Sequence, residues 1–268
     1  MINQYMFIVE GIHDSALISK ILTILGYLEI KKSNELISPM NKLILRSVPN
    51  KEERVDLYID IPYFYKKENN YVSIINANGE QNLLRTLDLN LKKMKLEDMQ
   101  KINKIVIFCD GDLDNKEEKI SKITNKKLRY LKKISMFDLD SLSNNILRVT
   151  GVENLTIPFE FFVFPNNKDI GRLEDVLLES IDNIDKELLK EVKIFLEKVP
   201  SKYKLKWSDK NSKLDKAKIS CLGSVLHPGT GNNLHIRNSD WVSEVTVNKC
   251  KNLNCVYRYI ENILDYKV

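Results

Sequence analysis

The sequence predicts an α/β fold: a mostly parallel sheet flanked by helices, continued by a basic, mainly helical C-terminal extension. Three observations carry that expectation. Short apolar runs rich in aromatic and β-branched residues recur along the first 180 positions. Each run gives way to a stretch of helical period, and acidic residues fall where strand turns into loop or helix. Strands alternating with helices imply parallel pairing with both faces covered.

Taken in order, residues 5–9 (YMFIV) read as a buried strand that ends at Glu10 and Gly11. From Asp14 onward Leu17, Ile18, Ile21, Leu22 and Leu25 repeat at three- and four-residue spacing, and Gly26 is a natural stop. Residues 28–75 mix short apolar runs with Pro39, Pro49 and Pro62; they read as short strands and loops, closing on a strand at 72–75. Residues 76–79 form a turn, after which Leu83, Leu84, Leu87, Leu91 and Met94 share one helical face. The strand signal at 104–109 is the most compact in the chain and runs directly into Asp110-Gly111-Asp112-Leu113-Asp114. Ile120, Ile123, Leu128 and Leu131 space an amphipathic helix through the Lys-rich stretch 116–133. A last strand, 159–164, is closed by Pro165; after a loop, Leu173, Val176, Leu177 and Ile181 open another helix.

A chain of 268 residues with 43% hydrophobic content can bury a sizeable core, and it reads as a core of residues 1–185 with an extension at 186–268 packed on it. Apolar runs such as 105–109 fall far short of the roughly 18 residues a membrane span needs, and no targeting segment precedes the first strand, so a soluble cytoplasmic protein is expected. Four cysteines, Cys109, Cys221, Cys250 and Cys255, do not make a disulfide framework in a chain this long. Residues 186–268 carry 16 Lys and Arg against 9 Asp and Glu, which leaves the first 185 residues at −2 of the net +5. Such a surplus suits a polyanion such as nucleic acid, through counterion release; a merely solvated lysine face is the competing reading.

In open α/β sheets the ligand crevice lies beyond the carboxyl ends of the strands, which is where Glu10 and the Asp110 group fall. Hard cations such as Mg²⁺ and Mn²⁺ take carboxylate oxygens, with water and substrate phosphate in the remaining positions. An Asp-x-Asp pair leaving a strand can place two carboxylates on one side, and Glu10 and Asp14 can converge across the strand-to-helix turn. The plain alternative is an Asx turn at Asp112 and Asp114, with Asp14 capping the first helix.

Three elements in order, Val9-Glu10-Gly11-Ile12-His13-Asp14, Asp110-Gly111-Asp112, and Gly171-Arg172-Leu173-Glu174-Asp175 after the strand closed by Pro165, resemble the TOPRIM domain of overcoming-lysogenization-defect (OLD) family nucleases and their short bacterial relatives. The resemblance covers residues 5–180. It implies phosphodiester hydrolysis with Mg²⁺ or Mn²⁺ held by Glu10, Asp14, Asp110, Asp112 and Glu174, with Glu10 also a candidate general acid or base. Asp215-Lys216-Ala217-Lys218 resembles a lysine-bearing helix that approaches the metal in such proteins, so Lys216 or Lys218 would face the charge of the transition state. No Gly-x-x-x-x-Gly-Lys-Ser/Thr sequence is present, which implies a stand-alone nuclease module or the partner of a separate ATPase, in a family context of phage defence. A catalytically silent TOPRIM-like sensor that binds nucleic acid or protein is the alternative.

Lesser candidates have plainer explanations. A zinc site from Cys221, His227, Cys250 and Cys255 lacks the usual short ligand gaps. The loop 227–233 reads as a flexible connection more readily than as a phosphate cradle. His13 reads as a turn residue, and Trp207, Trp241, Tyr203 and Tyr257 are expected in the core before they are expected to stack on bases.

Overall fold

A computed structural model of the chain describes residues 2–44, 53–56, 61–131, 135–152, 155–204 and 211–265. The strands and helices up to residue 164 are β1 (Asn3–Val9), α1 (Ile12–Ile24), β2 (Leu28–Glu29), β3 (Tyr63–Lys67), β4 (Asn70–Asn76), α2 (Leu83–Leu91), α3 (Leu96–Met99), β5 (Ile102–Asp110), α4 (Lys116–Leu131), β6 (Phe137–Asp138), β7 (Ile146–Val149) and β8 (Thr156–Phe164). Helices follow: α5 (Leu173–Ile184), α6 (Lys186–Lys198), α7 (Ser201–Lys204), α8 (Asn211–Leu226), α9 (Asn232–Asn238), α10 (Glu244–Lys249) and α11 (Lys251–Leu264). Pro49, Trp207 and the side chains of Leu128 and Leu131 lie outside the described residues. No helix among the described residues is long and apolar enough to cross a membrane. The chain divides into two compact units: the first comprises Met1–Ser15, Leu25–Cys109 and Glu117–Phe162, the second Ala16–Ile24, Asp110–Lys116 and Val163–Val268.

The first unit is built on the sheet, whose strand order is β2-β3-β4-β1-β5-β8-β7-β6. Its centre is parallel, as the alternation of strands and helices implies: β1 pairs in parallel with both β4 and β5. The flanks are antiparallel, β2 with β3, β3 with β4, β6 with β7 and β7 with β8. Burial follows the division. The central strands β1 and β5 are near-continuous apolar runs with both faces buried, whereas β7 alternates exposed and buried as a one-sided strand does. The antiparallel β3–β4 hairpin turns at Glu68 with φ 51°, in a sequence without glycine that gives little sign of a reversal. Phe7 and Phe108 meet edge to face at 5.3 Å and Phe108 and Phe162 lie 5.6 Å apart, so β1, β5 and β8 contribute to one aromatic layer. Phe7, Ile8 and Phe108 are fully buried, each contributing on the order of 1.5–3 kcal/mol of apolar transfer free energy.

The second unit is helical, as expected for the extension. In it α5 packs against α6, α8, α10 and α11, while α8 also packs on α9. The inward face of α6 is Leu189, Val192 and Leu196, and that of α11 is Leu253, Val256, Ile260 and Ile263, both at helical spacing. The Glu179 carboxylate accepts from the backbone N–H of Lys251 (2.8 Å) and Asn252 (3.0 Å), satisfying orphan donors at the start of α11. Gly223 is required by a close approach: a Cβ there would stand 1.5 Å from Nδ1 of His235, whose buried ring fills the hollow beside α8.

Candidate acidic site at the strand ends

In the first unit, Glu10 and Gly11 connect β1 to α1. The Gly79 N–H donates to the Glu10 carbonyl (2.8 Å) and the Ala77 N–H to the Val9 carbonyl (2.9 Å), so the turn after β4 braces this corner. Asp14 is buried, and its Oδ2 accepts from the Gly11 N–H at 2.6 Å. The helix starts two residues before Asp14, which is therefore not its N-cap but its third residue; from there the carboxylate reaches back to the amide of Gly11, the residue that precedes the helix. A buried lysine, Lys119 of α4, lies in the same unit and pairs with Glu80 at 2.9 Å. Sequence pattern does not single it out, because it sits among many solvated lysines.

The second unit holds the other acidic corner. Asp110 ends β5, and the chain reverses through Gly111 to Asp114, whose N–H donates to the Gly111 carbonyl (3.0 Å). Two further bonds fasten the reversal, from Gly111 N–H to the Phe164 carbonyl (3.2 Å) and from Asp112 N–H to the Gly171 carbonyl (2.8 Å). Only glycine fits at 111, since a Cβ would lie 2.9 Å from the Phe164 oxygen and 3.1 Å from the oxygens of Asp114 and Gly171. Asp112 leaves the extended conformation, with φ 57°, so strand alternation does not govern its direction. Both carboxylates nevertheless meet the start of α5: Asp110 Oδ1 accepts from the Leu173 N–H (2.8 Å) and Asp112 Oδ1 from Arg172 Nε (2.6 Å). Burial works against the Arg172 charge, but its hydrogen bond and pairing with Asp112, with Asp110 and Glu174 behind, outweigh it and raise the guanidinium pKa.

Glu174, in the first turn of α5, is 4% exposed, and its Oε2 has no hydrogen-bond partner among the described residues. Its Oε1 lies 3.7 Å from Nζ of Lys216 on α8. Burial pushes the Glu174 carboxyl above its ordinary value, with Lys216 and Arg172 pulling partly back. A shift of that sign makes a stability prediction. Below the ordinary glutamate value near 4.5 both folded and unfolded chains are protonated and nothing is lost. As the pH rises past it, the unfolded chain ionises first and the fold loses stability until the raised pKa is passed. In metal-free buffer Glu174→Gln should therefore melt above wild type near pH 8, with the difference closing toward pH 4; a pH-independent difference would contradict the burial account. Of the two candidate lysines, Lys216 stands beside Glu174 with a half-exposed side chain, while Lys218 is bound to Asp215 at 2.6 Å within its own helix.

These residues can be tested for a divalent cation. The donors are all hard oxygens, and a buried carboxylate oxygen without a partner, Glu174 Oε2, is what a cation would relieve. The set therefore fits in kind. In arrangement it is not preassembled: among the described residues no group of three or more His, Cys, Asp or Glu side chains stands ready to hold an ion. The missing element is Arg172, which holds Asp112. Its only sequence signal is its place between Gly171 and Glu174, where a cation opens a helix beside acids.

The lesser candidates resolve simply. Trp241 is fully buried and Tyr203 is 48% exposed. Thr230 N–H and Oγ1 both bond the His227 carbonyl, closing the loop after α8 on itself. The Cys255 thiol donates to the Asn166 carbonyl and Cys250 to that of Glu179.

Fold and site together define an α/β protein with a central parallel sheet and an acidic corner closed by an arginine. The chain belongs to the family described as "Protein of unknown function (DUF3226)", which it matches over residues 4–261. Its fold is similar to that of hypothetical protein PH0156 from Pyrococcus horikoshii OT3, at TM-score 0.51 and 17% identity over 98% of this chain and 97% of that one. The C-terminal region of the Burkholderia pseudomallei OLD protein aligns over 98% of this chain and 100% of that one, at 10% identity and TM-score 0.39, a likeness below that of a shared fold. No curated protein matches the chain.

Proposed function

We propose that this protein is a TOPRIM-like, divalent-metal-dependent nuclease that hydrolyses phosphodiesters of DNA or RNA. The observation that carries the proposal is the meeting of Asp110, Asp112 and Arg172 beyond the carboxyl end of β5, with buried Glu174 in the first turn of α5 and half-exposed Lys216 of α8 beside it. Asp110, Asp112 and Glu174 would hold Mg²⁺ or Mn²⁺, and Glu10 and Asp14, which follow the neighbouring strand β1, are proposed as further ligands. A bound divalent ion supplies Lewis-acid polarisation of the phosphoryl group and an acidified water.

The chain's own groups do the rest. Lys216, beside Glu174, faces the negative charge that grows on the phosphoryl oxygens, which its ammonium stabilises. Lys218 is tied to Asp215 within α8, which leaves Lys216 as the lysine beside the acids. Glu10 is proposed to exchange a proton with the attacking water or leaving oxygen. The basic extension holds the polyanion, so affinity should fall steeply with salt on all sequences alike. A separate ATPase partner and a role in phage defence belong to the same proposal, on the strength of the sequence resemblance.

One observation favours a second reading, a silent binding module: the ion pair of Arg172 with Asp112 already compensates part of the acidic charge without a metal. Incubation with supercoiled plasmid and with RNA, in Mg²⁺ or Mn²⁺ and with chelator as control, separates the two. Metal-dependent cleavage of either substrate is expected; binding without cleavage would favour the silent module.

A further inference from the structure

The ion pair at Asp112 has the geometry of a competitor for the cation. Arg172 Nε sits 2.6 Å from Asp112 Oδ1, with the arginine side chain 14% exposed and the aspartate 44% exposed. The guanidinium is therefore largely out of water, while its partner remains open to solvent on one side. Its neighbours are further acids, Asp110 and Glu174, and the Glu174 oxygen without a partner marks a place where positive charge is still wanted. The backbone around Arg172 is fixed: its N–H donates to Asp175 Oδ2 (2.7 Å) and Leu173 N–H to Asp110 Oδ1 (2.8 Å), so release of the side chain needs rotation of its own torsions only.

Resting on the reading of Asp112 as a cation ligand, we propose that Arg172 is a guanidinium gate: it and a divalent cation bind Asp112 in competition, and cation entry frees the guanidinium for a substrate phosphate. Arginine suits both halves of that exchange, since its planar fork matches carboxylate and phosphate alike. The gate would keep a lone ion weakly bound, and a phosphate that recruits Arg172 would tighten it, so metal and phosphate bind with positive coupling.

The test uses the full chain and Mn²⁺ alone, read by electron paramagnetic resonance of the free ion, on wild type, Arg172→Gln, Arg172→Lys and Asp112→Asn, with circular dichroism to certify folding. Arg172→Gln should bind Mn²⁺ about tenfold more tightly than wild type, the scale of one charge-assisted hydrogen bond that the ion no longer has to displace. Arg172→Lys keeps the charge and the fold but loses the fork, and should fall between them. In the wild type, the Arg172 Nε–H resonance, assigned by its absence in Arg172→Gln, should move toward the solvated position as Mg²⁺ is added. Equal Mn²⁺ affinity in wild type and both Arg172 variants, with Asp112→Asn weaker, would overturn the gate and keep Asp112 as a ligand. Equal affinity in wild type and Asp112→Asn would overturn both.

Discussion

Asp112→Asn is expected to lower the turnover of metal-dependent cleavage on the order of 10²- to 10³-fold, the scale of losing one electrostatic contributor in an active site. The substitution keeps the shape of the turn from Asp110 to Asp114, whose backbone bonds to Phe164 and Gly171 do not involve the carboxylate. It exchanges a charged oxygen ligand for a neutral one and so weakens the hold on a hard cation. If the basic extension holds the polyanion as proposed, nucleic-acid affinity should largely survive. The effect on stability should be small and negative: the pair with Arg172 loses its charge, but Asp112 is 44% exposed and solvent screens it, leaving a loss of about 0–1 kcal/mol. Single-turnover cleavage, filter binding and thermal melting of the same two proteins check all three parts; unchanged turnover would remove Asp112 from the chemistry.

Trp241→Ala is expected to cost about 3–5 kcal/mol, enough to unfold a marginally stable helical unit. The indole is fully buried, lies 6.5 Å from the His235 ring at a right angle, and donates through Nε1 to Asp185 Oδ2 at 3.2 Å. Its carbonyl accepts from Ser180 of α5 and Thr246 of α10, so the residue ties together the helices around it. Truncation leaves a cavity that backbone bonds cannot close. Trp241→Phe keeps most of the burial and loses the Nε1 bond, and should cost nearer 1 kcal/mol. Urea denaturation with equal slopes for the three proteins measures this, and a loss below about 1 kcal/mol for the alanine variant would show that the packing around Trp241 is loose.

The parts of the fold that sequence exposes are those where one local signal dominates. The strand cores at residues 5–9, 72–75, 104–109 and 159–164 all fall inside observed strands, because buried central strands are apolar on both faces. The helical faces at Leu17–Leu22, Leu83–Leu91 and Leu173–Ile181 are likewise where their spacing puts them, although Leu25 and Met94 fall beyond the ends of α1 and α2. What stays hidden depends on partners distant in sequence. The antiparallel flanks rest on pairings such as Ile146 with Pro158 and Tyr63 with Ile74, which no periodicity encodes. At the candidate site, the acids are conspicuous because they end strands, but their state is set by groups far along the chain: Leu173 N–H for Asp110, Arg172 for Asp112, Lys216 for Glu174. Read from sequence the acids look like mutually repelling charges that need a cation, whereas the folded chain already provides a guanidinium.

The most direct test is a pair of curves for the wild type, cleavage rate and thermal midpoint, against Mn²⁺ concentration from a chelated start. If the carboxylates beyond β5 are a cation site for phosphodiester hydrolysis, both should rise together and saturate at the same concentration, since binding to the folded state alone both stabilises it and completes the site. A wild type whose cleavage and melting temperature ignore both Mn²⁺ and Mg²⁺ would contradict the nuclease and the cation site at once.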